Sequence, residues 1–393
     1  MKTFSIPALV LGGGITGLGA IRSLGRTGIN VYHVDDKKTL AIYSKYCKRY
    51  FIAPKISQDK EELKSVLQRV KCQIGNAAVL FPASDLYALY VSDLIDNLSS
   101  YRVPGPKREI LEILINKRNF YQSLMEKNIP HPATYFPEDV QDIKKISKEI
   151  SYPVFIKPYV SHVFSKRFGK KGFVASSELE LLDYFKLVRR VGIDAMVQEI
   201  VPGSPTNHIF LDGYLDKNLN PKAFFVRQRL RMWPLDFGNS SLCISIPASE
   251  VTSLKETLFK YLKSIRYNGI FSAEWKKDSR DGIFKLLEIN PRTSAWFNTL
   301  SLKCGVNIML IAYLDAMEIN TEYFENYKAG VKWIFLRDDL RSASKMLVNG
   351  DLSIREWIFS LLGERDYAIF AKDDLKPFLV SLFVTFLTLY NRL

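Results

Sequence analysis

The chain has 393 residues of which 47% are hydrophobic, so it can form two or three packed domains at roughly 150 residues per domain. Its 55 Lys and Arg against 41 Asp and Glu give a net charge of +14, which favours a polyanionic ligand such as a nucleotide, a nucleic acid or an anionic membrane surface. The four cysteines form no CxxC pair, which argues against a zinc cluster or a disulfide framework and favours a reducing cytoplasm.

A glycine-rich turn opens the chain. Residues 12–17 match G-x-G-x-x-G between a predicted strand at 8–11 and a predicted helix, and a second strand at 30–34 ends in two aspartates. This βαβ pattern places backbone N–H groups, in a turn that includes Gly14, where they can approach an anion. NAD binding is one interpretation, but many doubly wound domains have the same turn without a dinucleotide.

A further strand, predicted at 77–81, precedes Ser84 and Asp85. Ligands of open α/β sheets lie beyond the carboxyl ends of strands, so these two side chains are placed to contact a substrate. They can equally cap the helix predicted at 86–98. A stretch rich in Pro and Gly then ends the first predicted domain, residues 1–106.

Two lysines stand where a bound phosphate would account for them. Lys117 lies in a long predicted helix, 107–128, and Lys157 ends an apolar strand just before a proline, where an ammonium group suits a phosphate better than a core. A basic loop with two glycines, 165–172, suits either a flap over a polyphosphate or an exposed hairpin tip. Its four cations are Lys166, Arg167, Lys170 and Lys171.

Two later strands carry polar side chains. In the strand 195–201, Gln198 and Glu199 either face solvent or contact a base and a ribose. In the strand 224–232, three arginines share one face because alternate side chains point the same way. They are Arg227, Arg229 and Arg231. Because like charges in register repel, this stripe favours a phosphate or carboxylate ligand, although solvated arginines are a fair alternative.

Residues 271–292 predict a β-hairpin whose turn contains a glycine. Glu288 and Asn290 share a face, Arg292 follows the strand end, and Glu274 joins the same face if even-numbered residues pair with even-numbered ones. Two carboxylates and an amide oxygen suit a hard cation such as Mg²⁺ together with nucleotide phosphates. Two solvated acidic residues on an amphipathic hairpin are the alternative.

In their order along the chain, these features resemble the ATP-grasp superfamily from about residue 10 to residue 305. The resemblance is carried by the helix lysine, the I-K-P strand end, the basic loop, the Q-E strand, the E-W pair and the L-E-I-N-P-R run that ends at Arg292. The F-G-K-K run at 168–171 and the R-x-R-x-W-P-x-D-F-G run at 229–238 are similar to the carboxylate-amine ligase group that includes D-aspartate ligase, often linked with cell-surface polymer biosynthesis.

The resemblance implies a mixed α/β protein, with an ATP-grasp fold behind an N-terminal Rossmann-like domain and before a C-terminal helical extension. The implied segments are 1–106, 107–194 with the lysine-rich flap, 195–320 with the metal and phosphate site, and 321–393. The implied ATP-binding residues are Lys117, Lys157, Lys170, Lys171, Gln198, Glu199 and Ile200. The implied ligands of Mg²⁺, or of Mn²⁺ in its place, are Glu274, Glu288 and Asn290. The implied catalytic residues are Arg292, Arg229 and Lys171, and the predicted substrate contacts are Gly14, Ser84, Asp85, Arg227 and Arg231.

The implied activity is ATP-dependent amide formation from a small carboxylate and an amine, an amino acid or a cell-surface precursor, through an acyl phosphate. Positioning and charge neutralisation supply most of such catalysis, which agrees with histidines that form no triad with the serines or cysteines. These ligases are often homodimers. An NAD-dependent oxidoreductase and a non-catalytic nucleotide-binding protein are the alternatives, while nucleic-acid binding is disfavoured because the positive residues match no recognised module.

The final apolar tract, 377–390, is shorter than the roughly 18 to 20 residues that a membrane span needs. On a helix, Ser381, Thr385 and Thr388 would form one narrow polar stripe. We expect this helix either to dock on the core or to lie at the inner face of a membrane. Docking is favoured, because interfacial helices usually carry Lys and Arg on their polar face.

Overall fold

The structure is a computed structural model that describes residues 4–55, 60–75, 77–94 and 100–390, without the side chains of 60, 161–163 and 388–390. The strands are β1 Ala8–Leu11, β2 Val31–Asp35, β3 Cys47–Ile52, β4 Ala78–Pro82, β5 Tyr101–Arg102, β6 Thr134–Tyr135, β7 Val154–Pro158, β8 Phe173–Ala175, β9 Ala195–Glu199, β10 His208–Leu215, β11 Pro221–Trp233, β12 Asn239–Ser245, β13 Gly269–Lys277, β14 Phe284–Asn290, β15 Lys332–Ile334 and β16 Arg365–Tyr367. The helices are α1 Ile15–Gly25, α2 Lys60–Ile74, α3 Asp85–Leu94, α4 Arg108–Ile115, α5 Lys117–Glu126, α6 Val140–Glu149, α7 Ser161–Phe168, α8 Glu178–Arg190, α9 Thr252–Ser264, α10 Ala295–Cys304, α11 Ile308–Ala316, α12 Leu336–Asn349, α13 Ile354–Leu361 and α14 Lys376–Tyr390.

The chain forms two compact units. The larger unit contains Met1–Arg108, Ile209–Ser272 and Asn290–Leu393, and the smaller unit contains Glu109–His208 and Ala273–Ile289. The first boundary lies close to the predicted domain end at residue 106. The finer division into four segments stays a prediction.

A five-stranded parallel sheet begins the larger unit, in the order β3-β2-β1-β4-β5. Strand β1 lies between β2 and β4, with Leu9 opposite Tyr32 on one side and Leu80 on the other. All four residues of β1 are buried, as expected for a central strand that helices cover on both faces. The carboxyl ends of β1 and β4 therefore lie side by side at the reversal of strand order, and the predicted Rossmann-like domain is confirmed.

The seven-stranded sheet has the order β14-β13-β10-β11-β12-β15-β16. Strands β10, β11, β12 and β15 pair in antiparallel fashion, while β15 and β16 are parallel. The register of β11 against β12 shifts on either side of Arg231. Parallel strands in the N-terminal sheet and antiparallel ones here confirm the predicted mixed α/β class.

In the smaller unit, a four-stranded antiparallel sheet has the order β6-β9-β7-β8. Val154 and Ile156 of β7 belong to a buried cluster with side chains of α6 and α8. Because side chains alternate along a strand, Lys157 points to the opposite face from this cluster. Gln198 lies opposite Phe155 in the register, so it shares that face with Lys157.

Two local predictions were wrong, and a third was displaced by one residue at its start. The helix predicted at 107–128 is two helices, because Asn116 caps α5 by accepting hydrogen bonds from the backbone N–H groups of Arg118 and Asn119. The predicted loop at 165–172 is helical as far as Phe168, where Gly169 adopts a left-handed φ of 65° and ends α7. The helix predicted at 86–98 begins one residue earlier and is described as far as Leu94; residues 95–99 lie outside the described residues.

The described residues include no single helix that is both long enough and apolar enough to cross a membrane. Two helices joined at a bend, Ala295–Cys304 and Ile308–Ala316, together have the length and apolar composition of a membrane span. Most of their residues are buried within the larger unit.

Candidate functional site

Lys157 is the central cation of the smaller unit. Its ammonium group donates a hydrogen bond of 2.8 Å to Oε1 of Gln198, and the amide of Gln198 in turn donates to Oγ1 of Thr134 at 2.8 Å. Burial, together with the positive charges of Lys117 and Lys171, lowers the pKa of Lys157 to about 8. Lys157 is therefore held among cations at a place where an anion would restore its proton affinity.

Lys117 reaches the same place from a helix. It is the first residue of α5, and its backbone N–H donates to the carbonyl of Tyr159, which follows β7, at 3.0 Å. Lys171 and Lys170 lie in the short link between α7 and β8 and are exposed. The Lys170 ammonium lies 6.0 Å from the Phe173 ring. Of the predicted flap cations, Lys171 is therefore the one whose charge reaches Lys157.

Glu274 on β13 and Glu288 on β14 both affect the pKa values of Tyr121 and Lys157. Burial raises the pKa of the Tyr121 phenol, and the charges of both carboxylates raise it further. The same two carboxylates favour the protonated form of Lys157. Both carboxylates therefore influence Lys157 and Tyr121, and the even-with-even pairing of the hairpin stays a prediction.

The hairpin is fixed in place by side chains that sequence reasoning missed. His208 Nδ1 lies 2.7 Å from Oε1 of Glu274, and both side chains are mostly buried. The Tyr121 hydroxyl donates to the carbonyl of Leu287 at 2.6 Å, next to Glu288. No local motif marks these contacts. The one available signal was that His208 opens a strand, which brings its ring beside a carboxylate only once the strand order is known.

Glu199, a predicted ribose contact, lies in an ion-pair network. It pairs with Arg280 and with Lys285, whose ammonium is 3.3 Å away, and it accepts from the backbone N–H of Ala133. Burial would raise the pKa of Glu199, but these partners outweigh burial and lower it. Ile200 follows at the end of β9 and is half-buried. Contacts of Glu199 and Ile200 with a nucleotide stay predictions.

In the larger unit, Arg292 joins two of the predicted site residues. Its Nε donates to Oδ1 of Asp85 at 2.6 Å, and its Nη2 donates to Oδ1 of Asn290 at 3.2 Å. Asp85 begins α3 just beyond the carboxyl end of β4, and Ser84 Oγ accepts from the backbone N–H of Tyr87 at 3.4 Å. Ser84 is therefore the helix cap that the sequence allowed, while Asp85 contacts a guanidinium instead.

Protein packing explains most of the glycines at 12–17. A Cβ at Gly12 would lie 2.3 Å from the Tyr87 ring, and one at Gly13 would lie 2.5 Å from Cβ of Ala83. Gly14 differs, because no atom lies within 4 Å of its Cβ position and its φ is 52°. Gly14 lies at the N-terminus of α1 and is the open position of the turn.

The three arginines of β11 are all buried and have partners within the larger unit. Arg227 Nε donates to Oδ2 of Asp212 at 2.8 Å, and Arg231 donates to both oxygens of Asp339 at 2.8 and 2.9 Å. Arg229 Nε donates to the neutral hydroxyl of Ser240 at 3.0 Å. Protein carboxylates thus already pair with Arg227 and Arg231, and the expectation that the stripe favours a phosphate or carboxylate ligand stays a prediction.

The donor set fits magnesium and a nucleotide. Groups of three or more His, Cys, Asp or Glu side chains that could hold a metal are absent from the described residues. A protein cage is not what Mg²⁺ requires, since it commonly binds one or two carboxylates together with water and nucleotide phosphates. Glu274 and Glu288 supply oxygens near the cationic cluster of Lys117, Lys157 and Lys171, as such a complex requires.

No family model matches the sequence. D-aspartate ligase of Enterococcus faecium (strain Aus0004) is 26% identical over 273 residues, which cover 65% of this chain and 63% of that protein. The chain thus spans less than two thirds of the length of this relative. Among solved structures, the biotin carboxylase–βγ-ATP complex from Campylobacter jejuni has a TM-score of 0.65 at 20% identity, covering 84% of this chain and 75% of that one.

A second solved structure is the biotin carboxylase domain dimer of the Hydrogenobacter thermophilus 2-oxoglutarate carboxylase, in complex with MgADP, ADP and bicarbonate. Its TM-score is 0.65 at 17% identity, covering 84% of this chain and 74% of that one. At these identities the two structures establish a shared fold.

Proposed function

We propose that the chain is a member of the ATP-grasp superfamily and that it is an ATP- and Mg²⁺-dependent ligase that joins a small carboxylate to an amine. The observation that carries this proposal is the Lys157 ammonium group, which hydrogen-bonds to the neutral amide of Gln198 at 2.8 Å and whose neighbouring charges include Lys117, Lys171, Glu274 and Glu288. A cluster of ammonium groups beside two carboxylates is matched by a metal-bound polyphosphate, which neutralises both sets of charges at once.

In this proposal, Lys117 and Lys157 bind the ATP phosphates and Lys171 approaches them from the α7–β8 link. Gln198 holds the Lys157 ammonium in position through their 2.8 Å hydrogen bond. Glu199 and Ile200, at the end of β9, contact the ribose and the base. To contact the ribose, Glu199 must give up one of its present ion-pair partners, Arg280 or Lys285.

Glu274 and Glu288, with the amide oxygen of Asn290, are the proposed metal ligands. When bound, Mg²⁺ would neutralise charge on the transferred phosphate. His208 fixes the orientation of Glu274 at 2.7 Å, as groups beyond the immediate ligands do in many metal sites. Its role is positioning.

Arg292 and Arg229 are the proposed catalytic arginines. Arg292 already contacts a carboxylate of the protein, Asp85, and both side chains are partly exposed. A substrate carboxylate can therefore bind the guanidinium beside Asp85 or in its place. Arg229 is buried and donates to the hydroxyl of Ser240 at 3.0 Å. Gly14, Ser84 and Asp85 are the proposed substrate contacts near the ends of β1 and β4.

The reaction follows from the poor leaving ability of a carboxylate oxygen. A carboxylate oxygen attacks the γ-phosphorus of ATP, the bond to ADP breaks, and an acyl phosphate forms. The amine nitrogen then attacks the acyl carbon, phosphate leaves with the former carboxylate oxygen, and the nitrogen loses a proton. The chain contributes positioning and charge neutralisation, for which no nucleophilic side chain is needed.

An amino acid is the first substrate class to test, since D-aspartate ligase is similar to this chain. ADP release would be followed with pairs of amino acids, sugar acids and amines at saturating Mg²⁺. We expect one acid to raise ADP release and a matching amine to raise it further, with Glu288→Ala losing both effects. ADP release that no acid or amine changes, and that Glu288→Ala retains, would contradict the proposal.

A homodimer also stays a prediction. The similar biotin carboxylase domain of Hydrogenobacter thermophilus is a dimer in its solved structure. Sedimentation velocity of this chain would decide whether it forms one.

A further inference from the structure

Between Leu382 and Leu387, helix α14 (Lys376–Tyr390) exposes its apolar side chains to solvent. From Leu382 to Leu387 every consecutive residue is exposed, and the fractions are 52% at Leu382, 62% at Phe383, 53% at Val384, 65% at Phe386 and 40% at Leu387. Six consecutive residues cover about 1.7 helical turns, so the exposure surrounds the helix instead of following one face. Helices with apolar side chains around most of their circumference are typically core or membrane helices, and among the described residues the apolar side chains of Leu382–Leu387 stay exposed.

The expectation that the helix docks on the core stays a prediction, since α14 contacts Leu40–Tyr43 while Leu382–Leu387 are exposed. Ser381 and Thr385 do lie one turn apart, as predicted, but Oγ1 of Thr385 donates to the carbonyl of Ser381 at 2.8 Å. Such an internal hydrogen bond lets a hydroxyl enter an apolar medium without losing its partner. The side chain of Thr388, the third member of the predicted stripe, lies outside the described residues.

A buried anchor fixes the point from which α14 departs. Asp374 is 3% exposed and accepts from Nε of Arg22 at 2.9 Å, from Oγ of Ser44 at 2.6 Å and from the backbone N–H of Lys45 at 2.8 Å. Arg22 also donates to the carbonyl of Ile369 at 2.8 Å. The exposed helix is thus not a loosely attached end, because its first turn follows a densely bonded segment.

A second pair strengthens this anchor. Asp373 accepts from Nε and Nη2 of Arg26 at 3.0 and 2.9 Å, and from the Tyr46 hydroxyl at 2.6 Å. The two aspartates at the base of α14 are therefore neutralised by Arg22 of α1 and by Arg26, which follows α1.

Exposed lysines surround this base. Helix α14 contacts the short 3₁₀ turn Leu40–Tyr43, and the Lys376 ammonium lies 5.9 Å from the Tyr43 ring. The lysines that flank the turn or the helix start, all exposed, are Lys37, Lys38, Lys45, Lys372 and Lys376. With Asp373 and Asp374 already paired, the base of α14 presents net positive charge.

We propose that α14 inserts into the interface of an anionic phospholipid bilayer, while the lysines at its base contact the lipid headgroups. Apolar insertion and headgroup attraction together supply the two contributions that peripheral membrane binding needs. The helix of 15 residues is about 22 Å long, shorter than the ~30 Å hydrocarbon core, which suits insertion from one side. A second copy of the chain packed on one face would leave the other faces of α14 in water.

Flotation of the full chain with vesicles tests this proposal. Vesicles of phosphatidylcholine alone would be compared with vesicles that also contain phosphatidylglycerol. We expect the chain to float with the anionic vesicles, and to float less with neutral vesicles or at high salt. The double variant Leu382→Glu with Phe386→Glu should lower the partition coefficient at least about tenfold, because each glutamate replaces an apolar side chain that insertion buries.

A matched control carries two glutamates at exposed apolar positions elsewhere, Val348→Glu with Leu179→Glu, which are 81% and 68% exposed. It should float like the unmodified chain, and Lys37→Glu with Lys38→Glu should weaken binding to anionic vesicles only. Circular dichroism would establish that each variant is folded. The proposal is overturned if the chain fails to float, or if the α14 double variant and the Val348→Glu/Leu179→Glu control lose flotation equally. It is also overturned if the chain binds no vesicles but forms a dimer in sedimentation velocity that the α14 double variant disperses.

Discussion

The lysine cluster of the smaller unit and the arginine stripe of the larger unit are both cations borne on strands, yet the fold treats them differently. Arg227 and Arg231 receive buried protein carboxylates at 2.8 Å. Lys157 instead bonds to a neutral amide, and burial with neighbouring cations lowers its pKa to about 8. We therefore propose a ligand site at Lys157, whose direct hydrogen-bond partner is neutral, whereas a row of like charges alone does not indicate one.

The largest expected effect belongs to the stripe and is a loss of stability. Arg231→Ala leaves the carboxylate of Asp339 buried without its guanidinium, so we expect the free energy of unfolding to fall by about 3–5 kcal/mol. Urea unfolding measures this free energy. Arg337→Ala, at an exposed arginine that pairs with Asp338, should change the free energy of unfolding by less than about 1 kcal/mol. If Arg231→Ala unfolds normally but loses activity, then the stripe binds a ligand after all.

The lysine cluster should respond in the opposite way. We expect Lys157→Met to lower kcat/KM for ATP by about 100-fold or more with little loss of stability, since a preorganised charge is removed from the phosphate site. Lys222→Met is the matched control, because Lys222 is also a mostly buried strand lysine and bonds to Asn320 at 3.1 Å. Equal losses in both variants would show that Lys157 has only a structural role.

How much the sequence could predict differs between the same two regions. The side of the strand that Lys157 and Gln198 share follows from alternation along single strands, and the parallel sheet follows from short apolar runs in β1 and β4. The partners of the arginines do not follow in this way. Asp212 and Asp339 are 15 and 108 residues from their arginines in sequence, so pairing depended on strand order and on two register shifts in β11.

The same reasoning accounts for the missed contacts of the hairpin and for the helix α7. His208 meets Glu274 across strands that are distant in sequence, which no local pattern reports. The glycines near Lys170 were interpreted as loop residues, but Gly169 is the left-handed end of a helix. Lys166 and Arg167 lie in the last turn of α7, where positive charges interact favourably with the helix dipole.

A smaller effect is expected at His208. His208→Gln removes the imidazole that orients Glu274, and we expect the Mg²⁺ concentration for half-maximal activity to rise about 10- to 100-fold. Activity should return at high Mg²⁺, which separates positioning from catalysis. His131→Gln, in the same unit, alters a histidine that contacts the Ile129 carbonyl and should leave the Mg²⁺ requirement unchanged.

The smallest effect is a pH dependence. ATP binding favours protonated Lys157, whose pKa in the free protein is lowered to about 8, so the Kd for ATP should rise by about tenfold between pH 7 and pH 9. Lys157→Arg should flatten this rise, because a guanidinium stays charged. Calorimetric titration at several pH values measures both. A Kd that is independent of pH, or that falls as pH rises, would contradict the assignment of Lys157 to the phosphates.

The central claim is that a carboxylate oxygen is transferred to phosphate in an ATP-dependent reaction. The most direct measurement is mass spectrometry of the inorganic phosphate formed from a carboxylate substrate labelled with ¹⁸O, in the presence of ATP, Mg²⁺ and the matching amine. We predict that each phosphate released carries one labelled oxygen and that one amide forms with it. Unlabelled phosphate released together with ADP would contradict the ligase mechanism.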